Sequence, residues 1–145
     1  EAEPLIARSL AIHERALGSE HPYLAYSLCN QADNFFLQGD YTQARFYYEK
    51  ALDIRERHLG VEDPRTAKSY YKLAQLYYAQ GRFEEAETLY EKALNIYECT
   101  LRPEHPDILV ILEEFVILLR KMKKENRARE LEEWIRKIGL RSNQI

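Results

Sequence analysis

A repeat of 42 residues constrains the fold of this chain more than any other feature. The segment 41–64, YTQARFYYEKALDIRERHLGVEDP, recurs at 83–106 as FEEAETLYEKALNIYECTLRPEHP, and most of it recurs at 1–22 as EAEPLIARSLAIHERALGSEHP. The copies align without a gap, and the positions identical in all three include Ala44, Leu52, Ile54, Leu59 and Pro64. A fixed period of this size is typical of stacked repeat arrays, in which each unit buries its core against its neighbours.

Apolar residues recur at helical spacing along the whole chain, and no segment alternates apolar and polar residues as a strand would. Helices are expected at about 1–17, 22–38, 41–58, 64–80, 82–100, 106–122 and 125–138. Tight turns fall at Gly39 and Gly81, where glycine permits positive φ. Asp63, His21 and His105 precede prolines that open helices, and each is expected to cap its helix. The prediction is an all-α fold of about seven helices in antiparallel pairs.

The period also gives the organisation of the array, which we expect to be a single domain over 1–138. Residues 1–18 form the second helix of a truncated repeat, 19–60 and 61–102 are complete repeats, and 103–138 is a divergent last repeat that acts as a C-terminal cap. Lys123 stands where the other repeats have glycine. Residues 139–145 are expected to form a frayed tail after Gly139. The chain begins without Met and inside a repeat, which suggests a piece of a larger protein.

The spacing of small and aromatic positions resembles the tetratricopeptide repeat. The positions that carry the resemblance are Ala32, Phe35, Ala44, Tyr48 and Ala51, followed by Ala74, Tyr77, Ala86, Tyr90 and Ala93. The period and the phrases YEKALDIRERHLG and YEKALNIYE are similar to the kinesin-light-chain type, which also occurs in bacterial multidomain proteins. The resemblance implies a right-handed superhelix of stacked helix pairs, and it weakens after residue 122.

Charge and cysteine content exclude several classes of function. The formal net charge is −3, which does not favour nucleic acid as a partner. Residues 120–145 carry 9 basic against 4 acidic side chains, so the last helix is either a solvated face or a contact for an acidic partner or a neighbouring domain. The longest apolar run, 108–119, is too short and too charged to span a membrane. Two cysteines without a metal-ligand pattern, Cys29 and Cys99, fit a reducing, cytoplasmic compartment.

No catalytic constellation is present in the sequence. It contains no HExxH, CxxC or glycine-rich phosphate loop, and the histidines do not combine with serine or cysteine into a nucleophilic site. His13 and His58 lie on charged helix faces. We therefore expect no enzyme activity, no metal and no cofactor.

The candidate site is a groove, because in tetratricopeptide arrays the first helix of each pair lines a concave surface that binds peptides. Carried over position by position, the resemblance implies a groove lined by Tyr26, Cys29, Asn30, Asp33, Phe36, Lys68, Tyr71, Lys72, Gln75, Tyr78, Val110, Glu113, Glu114, Ile117 and Arg120. The kinesin light chain has paired asparagines in this helix, whereas this chain keeps only Asn30, so the cargo preference of that family does not carry over.

Lys68 and Lys72 are four residues apart and share one helix face, with Tyr71 and Tyr78 beside them. Two cations next to aromatic surface suit an acidic segment that carries an aromatic residue, since charge-assisted hydrogen bonds fix position and ring burial supplies affinity. Asp33, Glu113 and Glu114 oppose that preference. The alternative is that the lysines are solvated and the tyrosines only pack between helices.

The helix at 108–119 is apolar almost all round and needs cover on more than one side. Trp134, Ile135 and Ile138 can cover one side, which leaves Val110 and Ile117 exposed. The alternatives are a well-buried helix under a C-terminal cap, self-association, or docking of another domain of the parent chain.

These features predict a protein–protein interaction module that binds a peptide or protein segment in its groove. The repeat type suggests the recognition part of a larger signalling protein, because bacterial proteins with such repeats often join them to an ATPase or a caspase-like protease. The alternatives are a cargo or scaffold adaptor like the kinesin light chain and, from another class, an oligomerisation module without a groove ligand.

Overall fold

Six helices form the described part of the chain. The computed structural model describes residues 22–102 and 105–143, except the side chains of residue 22 and of 141–143. The helices are α1 (Pro22–Leu37), α2 (Tyr41–Leu59), α3 (Pro64–Ala79), α4 (Phe83–Thr100), α5 (Pro106–Lys121) and α6 (Glu125–Asn143). The predicted first helix, over residues 1–17, and the cap at His21 lie outside the described residues.

Side-chain caps begin three of the helices. The Asp63 carboxylate accepts a hydrogen bond from the backbone N of Arg65 at 2.8 Å, and His105 Nδ1 accepts one from the backbone N of Asp107 at 3.1 Å. These two caps confirm the sequence predictions. Asp40 accepts a bond from the backbone N of Gln43 at 3.2 Å in the same way, which satisfies one of the amide groups that a helix start leaves unpaired.

The three turns inside the helix pairs share one backbone conformation. Gly39 (φ 81°), Gly81 (φ 77°) and Lys123 (φ 61°) all adopt the left-handed region. The residue that follows each of these three donates a hydrogen bond from its backbone N–H to the carbonyl oxygen five residues earlier in the chain. The N···O distances are 2.9, 2.8 and 2.8 Å, and this arrangement is the Schellman motif. The divergent last repeat therefore keeps the turn geometry of the others although a lysine stands at the glycine position.

Small residues lie where helix backbones approach most closely. Six alanines at the predicted positions are fully buried: Ala32, Ala44, Ala51, Ala74, Ala86 and Ala93. Large side chains such as Tyr48 and Tyr90 fill the space between them and are also buried. The buried residues form two clusters, one around α1–α3 and one around α3–α6, so α3 contributes to both.

The last helix differs from the prediction. It continues through Gly139 to Asn143, so residues 139–143 are helical and do not form a tail. Gly139 has a helical backbone, and glycine inside a helix costs only about 1 kcal/mol relative to alanine. Trp134, Ile135 and Ile138 pack on the cluster that contains α5, as the sequence predicted.

Ion pairs between α4 and the start of the C-terminal segment account for part of its basic charge. Lys124 Nζ lies 2.8 Å from the Glu87 carboxylate, and Arg127 Nη2 lies 2.9 Å from the Glu91 carboxylate. Two of the basic side chains that were candidate contacts for an acidic partner therefore form ion pairs within the chain.

Lys123→Gly should stabilise the protein, because a lysine in the left-handed region costs about 1–2 kcal/mol that glycine does not. The greater freedom of glycine in the unfolded chain offsets about 0.5–1 kcal/mol of this gain. We expect the free energy of unfolding to rise by about 0.5–1 kcal/mol, measured by urea denaturation followed by circular dichroism. Gly81→Lys is the matched control and should destabilise the protein, and a decrease for Lys123→Gly would contradict the assignment.

Candidate functional site

The first helices of the three pairs, α1, α3 and α5, form one surface, which we call the first-helix surface. Among the residues expected to line the groove, those exposed there are Tyr26, Asn30, Lys68, Val110, Glu113, Ile117 and Arg120. Those half-buried between helices are Asp33, Phe36, Tyr71, Lys72, Gln75, Tyr78 and Glu114. Cys29 was expected on the surface but is buried, because it faces the core formed with α2.

Two cavities open at the junction between α1 and α3. The larger, of about 330 Å³, is the Asp33 cavity, lined by Asp33, Phe36, Leu37, Tyr48, Lys72 and Gln75. The smaller, of about 50 Å³, is the Arg55 cavity, lined by Tyr26, Cys29, Asn30, Asp33, Arg55, Lys68 and Lys72. Predicted groove residues from both helices thus come together around two concave sites.

The junction between α3 and α5 has two corresponding cavities. The Tyr97 cavity is lined by Lys68, Tyr71, Tyr97, Asp107, Val110 and Ile111, and the Tyr78 cavity by Tyr78, Tyr90, Glu114 and Ile117. Lining residues of the Arg55 cavity recur 42 residues later in the lining of the Tyr97 cavity, so the two cavities are equivalent. The corresponding residues are Tyr26 and Lys68, Cys29 and Tyr71, Arg55 and Tyr97, and Lys68 and Val110. The Asp33 and Tyr78 cavities are equivalent in the same way. The repeat therefore produces the same pair of cavities twice with different linings.

A polar contact at Asp33 links α1 to α3. Lys72 Nζ lies 3.4 Å from Asp33 Oδ1, and the Tyr48 hydroxyl donates a hydrogen bond to the same carboxylate oxygen. Burial, followed by the bond to Asp33, raises the pKa of Tyr48 far above its usual range. The phenol therefore remains a neutral donor, and one acid of the surface is already satisfied within the protein.

The equivalent contact between α3 and α5 is centred on Glu114. Gln75 Nε2 donates to Glu114 Oε1 at 3.0 Å, the Tyr90 hydroxyl donates to that oxygen at 3.2 Å, and the Tyr71 hydroxyl donates to the other. Burial, followed by Glu114, raises the pKa of Tyr71 and of Tyr90. Three neutral donors thus satisfy the carboxylate of Glu114, which the sequence predicted to line the ligand-binding groove.

Two predicted groove residues do not join these cavities. Arg120 turns toward α6, where Nη1 donates to Glu132 at 2.8 Å and Nη2 lies 3.5 Å from Glu125. Glu113 is exposed and is not among the residues that line the four cavities.

Sequence reasoning missed the residues that the second helices contribute. Tyr48, Arg55, Tyr90 and Tyr97 lie on α2 and α4, yet each lines a cavity of the first-helix surface. The one sequence signal for these residues is that Arg55 and Tyr97 occupy equivalent positions of the 42-residue repeat. A cation in one copy is a phenol in the next.

Among the described residues, no group of three or more histidine, cysteine, aspartate or glutamate side chains could hold a metal ion. Likewise, none of the helices described is both long enough and apolar enough to cross a membrane.

Stacked helix pairs with repeated cavities between their first helices define an α-solenoid protein of the interaction type. The model of the tetratricopeptide repeat family matches residues 1–57, 32–98 and 65–139, so the chain belongs to the tetratricopeptide repeat family. Arrays of this family are typically non-catalytic modules for protein–protein interaction or scaffolding. No curated protein matches the chain.

Solved structures place the chain among repeats of the kinesin-light-chain type. A putative kinesin light chain of Podosopora anserina with nearly identical TPR-like repeats is 30% identical, with a TM-score of 0.76 over 98% of this chain and 67% of that one. A single-residue variant of that protein has a TM-score of 0.78 at the same identity and coverage. BtubC (BKLC) of P. vanneervenii has a TM-score of 0.88 at 22% identity, and this chain spans 56% of its length. The helix pairs form the right-handed superhelix of these solenoids.

The buried tyrosines make the fold sensitive to alkaline pH. Burial raises the pKa of Tyr97 to about 12, and burial with the bond to Glu56 raises that of Tyr70 to about 12, against an ordinary value of 10.0. Between these pH values the unfolded chain has released phenolic protons that the folded chain retains. The free energy of unfolding should therefore fall as the pH rises from 10 to about 12.

Urea denaturation at a series of pH values measures this slope, and ultraviolet absorbance of the phenolate gives the protonation state. Tyr97→Phe and Tyr70→Phe should each make the slope shallower, since each removes one shifted group. Slopes identical to that of the unmodified protein in both variants would contradict the prediction.

Proposed function

We propose that the first-helix surface binds an extended or helical segment of a partner protein and that the chain acts by binding and not by catalysis. The observation that carries the proposal is the pair of equivalent cavities at both junctions between first helices. Repeated concave sites along one surface suit a segment whose successive side chains enter successive cavities.

The linings of the cavities favour an acidic segment with an aromatic or other large apolar residue. Lys68 is exposed and has no carboxylate within 4.0 Å among the described residues. Val110 and Ile117, 45% and 54% exposed, offer apolar surface one repeat further along. Because tyrosines and Gln75 satisfy Glu114, and Lys72 and Tyr48 satisfy Asp33, these acids oppose an anionic ligand less than their number implies.

Charge reversal tests the anionic preference. Lys68→Glu should weaken binding of a synthetic peptide that carries aspartates beside a phenylalanine by about ten-fold or more, the equivalent of 1.4 kcal/mol. Isothermal titration calorimetry gives the affinity, and Lys50→Glu, at an exposed lysine of α2, is the control with the same charge change. If both variants lost the same peptide affinity, the loss would follow from the change in net charge alone. That result would contradict a site at Lys68.

The wider role that we propose is the recognition part of a larger signalling protein. The chain spans 56% and 67% of the solenoids that it resembles, so their complete arrays are longer. Cys29 and Cys99 are unpaired thiols, which supports a cytoplasmic location. The sequence flanking the chain tests this role: an adjoining ATPase or protease domain supports it, whereas further repeats alone favour a cargo or scaffold adaptor like the kinesin light chain.

The exposed apolar residues of α5 support a second candidate, self-association through α5. Val110 and Ile117 lie two helical turns apart on one face, with the apolar run 108–119 behind them. On this reading the chain is an oligomerisation module, and the apolar surface is buried against a second copy.

Ile117→Asp separates the two candidates. If α5 forms a dimer contact, the molar mass from light scattering should increase with concentration in the unmodified protein and remain monomeric in the variant. If Ile117 contacts a partner segment, both proteins are monomers and only peptide affinity falls. A strict monomer at high concentration excludes the oligomerisation module.

A further inference from the structure

A buried arginine lies at the base of the Arg55 cavity. The Arg55 side chain is only 6% exposed, although it lines a cavity open to solvent. Its Nη1 donates to Ser69 Oγ at 2.9 Å and to the backbone carbonyl of Arg65 at 3.2 Å. Both acceptors are neutral, and both bonds use one nitrogen, so Nη2 and Nε have no acceptor among the described residues.

Arg55 forms no ion pair in the described part of the chain, although Asp63 lies near enough to interact with it electrostatically. No described carboxylate lies within 4.0 Å of its guanidinium. Asp33 is engaged by Lys72 and Tyr48, and Asp63 is engaged by Arg65 at 3.0 Å. Burial raises the pKa of the Cys29 thiol in the same cavity, so this group is neutral as well. Arg55 therefore lacks a close counter-charge, and its Nη2 and Nε can donate to a group that enters the cavity.

The cavity concentrates positive charge in a small volume. Its lining contains three cations, Arg55, Lys68 and Lys72, against the single carboxylate of Asp33. The Asn30 amide at its edge supplies further hydrogen-bond donors. At about 50 Å³, the cavity admits the head group of a side chain rather than a whole side chain.

The equivalent cavity one repeat further along shows that the fold does not require this charge. Tyr97 replaces Arg55, Val110 replaces Lys68, and Glu114 replaces Lys72. The same backbone arrangement thus accepts a phenol where Arg55 lies. Ile111 also replaces Ser69, which accepts a hydrogen bond from Arg55, so the cation belongs to this junction and not to the shared scaffold. An anion entering the cavity would provide a close counter-charge.

We infer that the Arg55 cavity is a subsite for one oxyanion, the carboxylate or phosphoryl group of a partner's side chain. The guanidinium donates from Nη2 and Nε, and Lys68 closes over the anion from the exposed side. The inference rests on the proposed function only in assigning the anion to the side chain of a partner protein, since a small free anion should also bind.

Titration with inorganic phosphate and with acetate, at constant ionic strength, tests the subsite. Two-dimensional NMR should show a saturable shift of the Arg55 Nε–Hε signal, and no saturable shift for Arg129, an exposed arginine of α6. Lys68→Gln should weaken the affinity by about ten- to a hundred-fold, since it removes one charge-assisted hydrogen bond to the anion. The relative affinities of phosphate and acetate indicate whether the natural group is phosphoryl or carboxylate.

Arg55→Gln should abolish the saturable shifts of the amide groups around the cavity, and Lys50→Gln on the same helix should leave them unchanged. If Arg55→Gln does not fold, Lys68→Gln decides alone, because Lys68 is exposed. Shifts that do not saturate, or affinities unchanged in Lys68→Gln, would overturn the subsite. Failure of peptide binding with an intact phosphate site would instead contradict the groove function, so the two proposals fail separately.

Discussion

Close approach of helix backbones at fully buried alanines is the constraint on which the rest of the structure depends. Ala32 and Ala44 in one pair, and Ala74 and Ala86 in the next, leave no room for a larger side chain without separating the helices. Because each pair is fixed in this way, neighbouring first helices meet at a constant offset. Residues 39 apart therefore make the same contact twice, at Asp33–Lys72 and at Gln75–Glu114.

The constant offset means that the two junctions differ in chemistry but not in geometry. The first junction carries Arg55, Lys68 and Lys72 against Asp33, whereas the second shares Lys68 and adds the acids Asp107 and Glu114. Charge therefore changes from positive to negative along one surface. Since electrostatic complementarity sets orientation and register more than affinity, this gradient would align a partner segment with its anionic group at the first junction.

The sequence predicted the scaffold well and the site only in part, for physical reasons. Glycine, proline and Asp63 mark helix ends through backbone geometry, so the bounds of α1–α5 were predicted to within about two residues. Gly139 did not end α6, because packing of the helix outweighs the small cost of one glycine. Arg55 lies within the charged stretch IRERH, which suggests a solvated face. Its burial depends on contacts with α3 that helical periodicity does not encode.

The contact between Lys72 and Asp33 determines how easily the first junction can accept an anion. Their side chains are 25% and 37% exposed, and a partly exposed ion pair is worth only about 0–1 kcal/mol. If Lys72 turned toward an anion in the Arg55 cavity, Asp33 would still accept the hydrogen bond of Tyr48. The carboxylate would therefore not be left unsatisfied, which is the usual large cost of breaking a pair. In the proposed anion subsite, Lys72 would add a contact at little cost, while Arg55, held by Ser69 and the backbone of Arg65, would provide the fixed part.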